Sequence, residues 1–247
     1  ENEIETIKNS TENRITAFTK DLKIDSLITG DKKIVSFVGT TKNGTSFIVN
    51  NLAKMLSEKG IKTAILDLTQ NRNAYYIYTE NEEELRKRAY ASIENLRKGI
   101  AEGIEVNKNL HVYTSLPGEV QQLEDVNSIL ETLLNNYSLI LLDCDFDTKP
   151  IYFKASQEMY LVQTFDVLTI QPLTAFLRDL KLKNMLEPEK LKVVINKNIK
   201  INGVGEKVLI GGMSVYNDPG MTYMTELFNK DKIKYATIPF EEQTYSN

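Results

Sequence analysis

Short apolar runs alternate with segments of helical period along most of this 247-residue chain. The apolar runs, in chain order, are Ile34–Val38, Thr63–Asp67, Leu110–Tyr113, Leu139–Asp143, Met159–Val162 and Lys192–Asn196. Runs that lack polar alternation are typical of strands buried on both faces of a parallel sheet. Strands that alternate with helices predict an α/β fold, a doubly wound, mainly parallel sheet with helices on both faces. In such a sheet, ligands bind at the carboxyl ends of the strands.

The helices between these strands are predicted from the spacing of apolar residues. They are Ser46–Lys59, Glu80–Ile100, Glu119–Asn135, Leu168–Met185 and Met221–Phe228, and a short last strand is predicted near Tyr235–Ile238. The aromatic segment Tyr75–Tyr78 is predicted to be either a loop packed on the core or a partner-binding surface. Residues 1–30 are polar with scattered apolar positions, which predicts an N-terminal helical arm or linker before a domain that spans residues 31–247.

The composition excludes several kinds of site. The chain has 30 basic and 34 acidic residues and a net charge of −4, whereas nucleic-acid-binding domains are usually basic. Cys144 and His111 are the only cysteine and histidine, so the chain can form neither an internal disulfide nor a multi-histidine metal site. No apolar run approaches the roughly 18 residues of a membrane-spanning helix. We therefore expect a cytoplasmic protein with no transmembrane segment, and nucleic acid is a disfavoured partner.

The loop after the first predicted strand carries a phosphate-binding pattern. The template is G-x-x-x-x-G-K-[ST] between a strand and a helix. The residues in this place are Gly39, Thr40, Thr41, Lys42, Asn43, Gly44, Thr45 and Ser46. Glycine lets backbone N–H groups wrap around phosphate oxygens, and the helix N-terminus adds a partial positive charge. We expect this phosphate loop (Gly39–Ser46), together with Phe47, to bind nucleotide phosphates, with Ser46 as a Mg²⁺ ligand.

The phosphate loop departs from the template at Thr45, where the template has lysine. That lysine neutralises charge on the terminal phosphates, and the loss of one such donor is expected to cost ~10²-fold or more in rate. Lys42 lies three residues earlier and offers a substitute cation. An active Mg²⁺-dependent ATPase that uses Lys42 is therefore an alternative to a protein with little or no hydrolysis.

With these motifs the chain resembles the MinD/ParA group of P-loop ATPases over roughly residues 33–240. The first motif of that group reads like G-K-G-G-V-G-K-T, and its two lysines fall on Thr40 and Thr45. Its second motif, D-x-D-P-Q-G-N, falls on residues 67–73, where the second aspartate is Thr69. The resemblance makes residues 31–247 a P-loop NTPase-like domain with a degenerate first motif.

The resemblance also implies further site residues. Asp67 and Asp143 match carboxylates of the second and third motifs, so the implied metal ligands are Ser46, Asp67 and Asp143. The third motif usually continues with prolines, which Asp145 and Phe146 replace here. Two more matches imply contacts near an adenine base, Asn196 at the end of a strand and Pro239 in a late Ile-Pro turn.

The function implied by the resemblance is a nucleotide-binding protein that holds ATP or ADP with Mg²⁺ and acts as a homodimer with protein partners. Altered first motifs resemble the TadZ/CpaE branch, which implies a localisation or assembly factor for pilus, secretion or conjugation machinery. Partners would then recruit the protein to the membrane or the cell pole, since residues 241–247 contain no Lys or Arg for a basic membrane anchor. A DNA-partitioning protein is a second alternative, which the net charge disfavours.

Overall fold

The computed structural model describes residues 30–80, 82–118, 125–199, 202–203, 205–214, 228 and 231–242. Three predictions therefore lie wholly or partly outside the described residues. They are the N-terminal arm, the first part of the predicted helix Glu119–Asn135 and, except for Phe228, the predicted helix Met221–Phe228.

Eight strands form one sheet in the order β3-β4-β2-β5-β1-β6-β7-β8. The strands are β1 (Lys33–Gly39), β2 (Thr63–Asp67), β3 (Ile104–Asn107), β4 (Leu110–Tyr113), β5 (Leu139–Cys144), β6 (Glu158–Gln163), β7 (Leu191–Asn198) and β8 (Lys234–Pro239). All neighbours pair in parallel except β3 and β4, which pair antiparallel at one edge. The sheet confirms the predicted mainly parallel architecture.

Seven α-helices connect the strands within the described residues. They are α1 (Thr45–Glu58), α2 (Asn73–Thr79), α3 (Glu83–Arg97), α4 (Val126–Asn136), α5 (Pro150–Ala155), α6 (Ile170–Leu182) and α7 (Glu206–Ser214). Helix α4 begins where the Asp125 side chain accepts a hydrogen bond from the Ser128 N–H at 3.3 Å, an ordinary N-cap. Short 3₁₀ turns lie at Val167–Thr169 and Pro188–Lys190.

The helices cover both faces of the sheet. Successive residues of a strand point to opposite faces, so Ile34 and Val38 of β1 belong to one hydrophobic core while Val35 and Phe37 belong to the other. Helices α1 and α2 pack on the second core, helices α4 to α7 on the first, and α3 contributes to both. This arrangement confirms the predicted doubly wound fold and brings the ends of β1, β2 and β5 to one edge.

The predicted helix Glu80–Ile100 corresponds to α3, which begins three residues later than predicted, at Glu83, and ends at Arg97. Helix α2 precedes it, and Glu80 between the two helices adopts a left-handed conformation with φ 41°. Helix α2 contains Tyr75–Tyr78, so the prediction of a loop there is wrong. Aromatic residues have modest helix propensity, and the helix is fixed instead by tertiary contacts, since Tyr75 and Tyr78 pack on the core.

Three further elements were not predicted from the sequence. Strand β3 buries only Ile104 while Glu105 and Val106 are exposed, so it shows little of the apolar signal of an inner strand. Helix α5 has six residues, too few for a helical period to be visible. Helix α7 contains Gly211 and Gly212, and glycine lowers helix propensity.

Candidate functional site

Three loops at the carboxyl ends of adjacent strands enclose a cavity of about 630 Å³. They are the phosphate loop after β1, the β2 loop (Leu68–Arg72) and the β5 loop (Asp145–Lys149). Strand β5 pairs with both β1 and β2, so the three loops leave neighbouring strands at the same edge. Leu168, Thr169 and Pro172, which follow β6, complete the cavity wall. The cavity lies where ligands bind in doubly wound sheets.

The phosphate loop has, just before the start of α1, a glycine that no other residue could replace without strain. Gly44 has φ 84°, a left-handed conformation, and helix α1 begins at the next residue. A Cβ atom on Gly44 would lie 2.4 Å from Nδ2 of Asn196, and one on Gly39 would lie 2.7 Å from the carbonyl oxygen of Val162. Both glycines are therefore required by close packing, and the loop directs the start of α1 at the cavity.

Thr45 does not present a substitute group where the lysine of the template would stand. A Cβ atom on Gly39 would lie 2.5 Å from the Thr45 hydroxyl oxygen, which shows that this hydroxyl lies against the loop backbone. The hydroxyl is buried and has no hydrogen-bond partner in the described part of the chain. Among charged residues the cavity is lined by Lys42, Asp145 and Asp147. The cavity therefore contains one cationic side chain against two acidic ones.

Asp67 organises the β2 loop and the start of α2. Its Oδ1 accepts hydrogen bonds from the Thr69 N–H at 3.0 Å and the Thr69 hydroxyl at 2.7 Å. Its Oδ2 accepts from the Ala74 N–H at 2.9 Å and the Thr114 hydroxyl at 3.0 Å. Burial raises the pKa of Asp67, while the Thr69 and Ala74 donors and Arg72 act in the opposite direction. With both oxygens bonded to the chain, Asp67 holds the loop, and its role as a metal ligand stays a prediction.

Arg72 is a buried cation at the end of the β2 loop. It adopts φ 50°, and its Nη1 donates to the carbonyl oxygens of Thr69 at 2.5 Å and Asp67 at 3.5 Å. Burial lowers the pKa of Arg72, and the neighbouring Asp67 and Asp145 carboxylates raise it. A buried arginine is tolerated only beside compensating charge. Arg72 therefore compensates part of the acidic charge on this side of the cavity.

Asp145 links the β5 loop to the β2 loop. Its Oδ2 accepts a hydrogen bond from the Gln70 N–H at 2.6 Å, and its Oδ1 accepts from the Asp147 N–H at 3.0 Å. The phosphate loop is linked in a similar way. Asn73, the first residue of α2 directly after the β2 loop, donates from its Nδ2 to the Ser46 hydroxyl oxygen at 2.9 Å. The three loops are therefore joined by direct hydrogen bonds and form one connected site.

No protein-family model and no curated protein sequence matches this chain. Solved structures do match. A ParA family ATPase from Chlorobium tepidum superposes with a TM-score of 0.64 and 14% identity over 86% of each chain. A plasmid partition protein from Borrelia burgdorferi, bound to AMPPNP, gives a TM-score of 0.59 and 16% identity over 86% of each chain. The chain has the ParA/MinD fold.

A third structure, the MinC:MinD cell division complex of Aquifex aeolicus, matches with a TM-score of 0.58 and 17% identity over 85% of this chain and 83% of the other. The ParA/MinD fold was predicted from the motifs and is confirmed. The narrower placement in the TadZ/CpaE branch stays a prediction. None of the described helices is both long and apolar enough to cross a bilayer.

The ParA/MinD fold brings most of the predicted nucleotide-binding residues together. Those that line the cavity are Gly39, Thr40, Thr41, Lys42, Gly44, Thr45, Ser46 and Phe47. The predicted residues that do not line the cavity are Asn43, Asp67, Asp143, Asn196 and Pro239. Asn196 instead donates from Nδ2 to the Asn43 carbonyl oxygen at 2.7 Å, and Pro239 ends β8 opposite Asn198. Contacts of Asn196 and Pro239 with a base therefore stay predictions.

Asp143 is a buried carboxylate with unmet hydrogen-bonding capacity. Its side chain is fully buried, and neither carboxylate oxygen has a hydrogen-bond partner among the described residues. Burial raises the pKa of Asp143 well above its usual value, and repulsion from Asp67 and Asp145 adds to the shift. The Ser46 hydroxyl is near enough to oppose the shift without making a hydrogen bond of normal geometry. An uncompensated buried carboxylate is costly, so this position fits a cation.

The Mg²⁺ ion stays a prediction, and Asp143 and Ser46 are the residues present that could hold one. Mg²⁺ is usually held by one or two protein oxygens together with phosphate oxygens and water. Within the described ranges, no cluster of three or more His, Cys, Asp or Glu side chains could hold a metal alone. A shared site between protein and phosphate is therefore the arrangement that these residues allow.

We expect Asp143→Asn to raise the melting temperature of the ligand-free protein by about 2–6 °C at pH 8. The folded protein holds a proton at Asp143 more readily than the unfolded chain, because its pKa is raised. Stability from this group is therefore lost as the pH rises from about 4 through the raised pKa, and Asn removes that loss. Thermal melts between pH 4 and pH 8 measure it.

The control for this prediction is Asp147→Asn, which changes an exposed carboxylate in the neighbouring loop and should leave the melting temperature unchanged. We also expect Mg²⁺ with nucleotide to stabilise the wild type more than Asp143→Asn. A fall in melting temperature for Asp143→Asn at pH 8 would show that the carboxylate is stabilised in the ligand-free protein, contrary to this account.

Proposed function

We propose that this chain binds ATP or ADP with Mg²⁺ in the cavity between the phosphate loop and the β5 loop. The observation that carries the proposal is the phosphate loop itself. Gly44 at φ 84° aims the N-terminus of a 14-residue helix at a cavity beside the buried carboxylate of Asp143. The combination offers backbone N–H groups for phosphate and an oxygen for Mg²⁺. The Borrelia burgdorferi partition protein with this fold was solved with AMPPNP, which supports the proposal.

We propose further that hydrolysis is slow or absent. Thr40, Thr45 and Thr69 replace two lysines and an aspartate of the motifs that the chain resembles. The Thr45 hydroxyl lies against Gly39, and the charged lining of the cavity is acidic on balance. Transfer of a phosphoryl group needs positive charge at the terminal phosphate. Binding without efficient turnover suits a protein that uses nucleotide to set an assembly state.

In this proposal the protein is a homodimer that positions or assembles a larger machine in the cytoplasm. The fold is shared with a ParA family ATPase and with the MinC:MinD cell division complex, whose name includes a protein partner. A pilus, secretion or conjugation machine is the proposed setting. Analytical ultracentrifugation tests the dimer, and a monomer at high concentration both with and without Mg–AMPPNP would contradict it.

Phosphate release tests the proposed lack of turnover. We expect no Mg²⁺-dependent release from ATP above a protein-free control, in the wild type or in Lys42→Ala. Lys42 is the one lysine among the residues that line the cavity, so it is the cation that an active enzyme would need. Measurable release that Lys42→Ala abolishes would replace this proposal with an active ATPase.

A further inference from the structure

Two consecutive carbonyl groups of the phosphate loop accept hydrogen bonds from the end of β7. Nζ of Lys197 donates to the Lys42 carbonyl oxygen at 2.9 Å. Nδ2 of Asn196 donates to the Asn43 carbonyl oxygen at 2.7 Å. These donors lie more than 150 residues from their acceptors in the chain, and they come from a strand that is not adjacent to β1.

These two hydrogen bonds fix the direction of the loop's N–H groups. In a trans peptide the N–H points opposite to the C=O of the same unit. When the carbonyl of Asn43 points at Asn196, the N–H of Gly44 therefore points away from β7. The first N–H groups of α1, which begins at Thr45, also have no acceptor inside the helix. The contacts from β7 thus set the orientation in which backbone donors can meet an anion.

The loop needs such support because part of its backbone is strained. Lys42 adopts φ 71°, a left-handed conformation that is unfavourable for residues other than glycine. Lys197 is itself left-handed, with φ 52°. A left-handed conformation at a non-glycine residue persists where surrounding contacts determine it. The hydrogen bond between Lys197 and the Lys42 carbonyl is such a contact.

Asn196 is also packed directly on the loop. It is buried, and a Cβ atom on Gly44 would lie only 2.4 Å from its Nδ2. Strand β6 supports the same segment, since Nδ2 of Asn43 donates to the Val162 carbonyl oxygen at 3.1 Å. The loop is therefore supported by neighbouring strands at the positions just before α1.

We propose that Asn196 and Lys197 form a clamp that holds the phosphate loop in its anion-binding conformation before any nucleotide is present. This proposal rests on the proposed function, because the clamp prepares the same cavity for phosphate. Both residues are positioning residues that act through the loop backbone. A loop ordered in advance loses less conformational entropy when it binds nucleotide. This smaller entropic cost offsets part of the affinity that is lost because Thr45 replaces the lysine of the template.

The test measures amide hydrogen exchange of the ligand-free protein at two N–H groups of the loop region. The Asn43 N–H is bonded to the Thr40 carbonyl oxygen at 3.2 Å, and the Ile48 N–H to the Gly44 carbonyl oxygen at 3.0 Å. We expect protection of both to fall about tenfold in Asn196→Asp, which has nearly the same shape but no amide donor. Lys197→Met should reduce protection about threefold, since its bond is exposed.

Lys197→Arg keeps a cationic donor and should restore protection, which loss of general packing would not explain. Lys207→Met removes an exposed lysine from α7 and should change nothing. A calorimetric titration of the same variants with Mg–ATP should show weaker binding in the same order. Exchange that is unchanged in both Asn196→Asp and Lys197→Met would overturn the clamp. Altered exchange in a protein that binds no Mg–ATP would support the clamp and reject the proposed function.

Discussion

Thr45→Lys is expected to strengthen Mg–ATP binding by about 10- to 100-fold, because charge-assisted hydrogen bonds to phosphate are strong. Thr45 stands where the phosphate-loop template has its lysine, and its hydroxyl lies buried against Gly39 without a partner among the described residues. Two acidic residues, Asp145 and Asp147, line the cavity, whereas Lys42 is the one basic residue in the lining. An ammonium group at residue 45 would supply positive charge at the phosphates.

The matched control for this prediction is Asn51→Lys, which adds the same charge to an exposed position on the same helix. Calorimetry with Mg–ATP at two salt concentrations separates the two effects, since the attraction between exposed charges is screened by salt. An equal gain in both variants would mean that general attraction accounts for the effect. No gain in Thr45→Lys would show that the phosphates do not lie beside residue 45.

Gly44→Val is expected to abolish measurable nucleotide binding, a loss of roughly 100-fold or more, since it removes the geometry on which the backbone donors depend. A β-branched residue is a steric outlier at φ 84°, and its Cβ atom would meet Asn196 at 2.4 Å. The loop would have to move away from β7. Calorimetry with Mg–ATP measures the loss directly.

Gly60→Val separates the loss of the site from a loss of stability. Gly60 follows α1 with φ 89°, and a Cβ atom there would meet nothing within 4 Å. The variant therefore carries the same kind of backbone strain at a distance from the phosphate loop. We expect both variants to melt at lower temperature than the wild type and Gly60→Val alone to retain affinity. Retained affinity in Gly44→Val would place the nucleotide elsewhere.

The sheet could be predicted from the sequence because its inner strands are short and largely apolar runs. The predicted strands Thr63–Asp67 and Leu110–Tyr113 coincide with β2 and β4. Burial on both faces produces such runs, and their short length distinguishes them from helices. Strand β3 lies at the edge and buries one residue, so its sequence carried no comparable signal.

The secondary-structure prediction failed where tertiary contacts decide the conformation. Helix α2 is rich in tyrosine, and its start is held by the carboxylate of Asp67, which accepts the Ala74 N–H. A single-sequence pattern does not show such a contact. The boundary at Glu80 likewise depends on a left-handed residue without the glycine that usually marks one.

The candidate site was predictable where a local motif sets the geometry. The phosphate loop lies as its glycines require, with Gly44 in a left-handed conformation before α1. Two charged residues of the site were missed, although the sequence carried a signal for both. Asp145 and Arg72 stand where the motifs of the resembling group have proline and glycine. Their role in joining and compensating the loops appears only once the loops are folded together.

Contacts between distant parts of the chain could not be predicted. Thr114 completes the hydrogen bonds of Asp67 from 47 residues away, and Asn196 reaches Asn43 across 153 residues. The sequence predicted Asn196 as a contact for the base, while the structure gives its amide a bond to the phosphate loop. No periodicity or motif spacing encodes a hydrogen bond between loops of that separation.

The central claim is that this cavity binds a nucleotide together with Mg²⁺. The most direct measurement is a calorimetric titration of the wild type with ATP, in Mg²⁺ and again in EDTA. The account predicts a 1:1 complex of micromolar Kd in Mg²⁺ and markedly weaker binding in EDTA, because Asp143 and the acidic lining of the cavity then lack a cation. The absence of binding heat in both conditions and at two temperatures, with a folded protein, would contradict it.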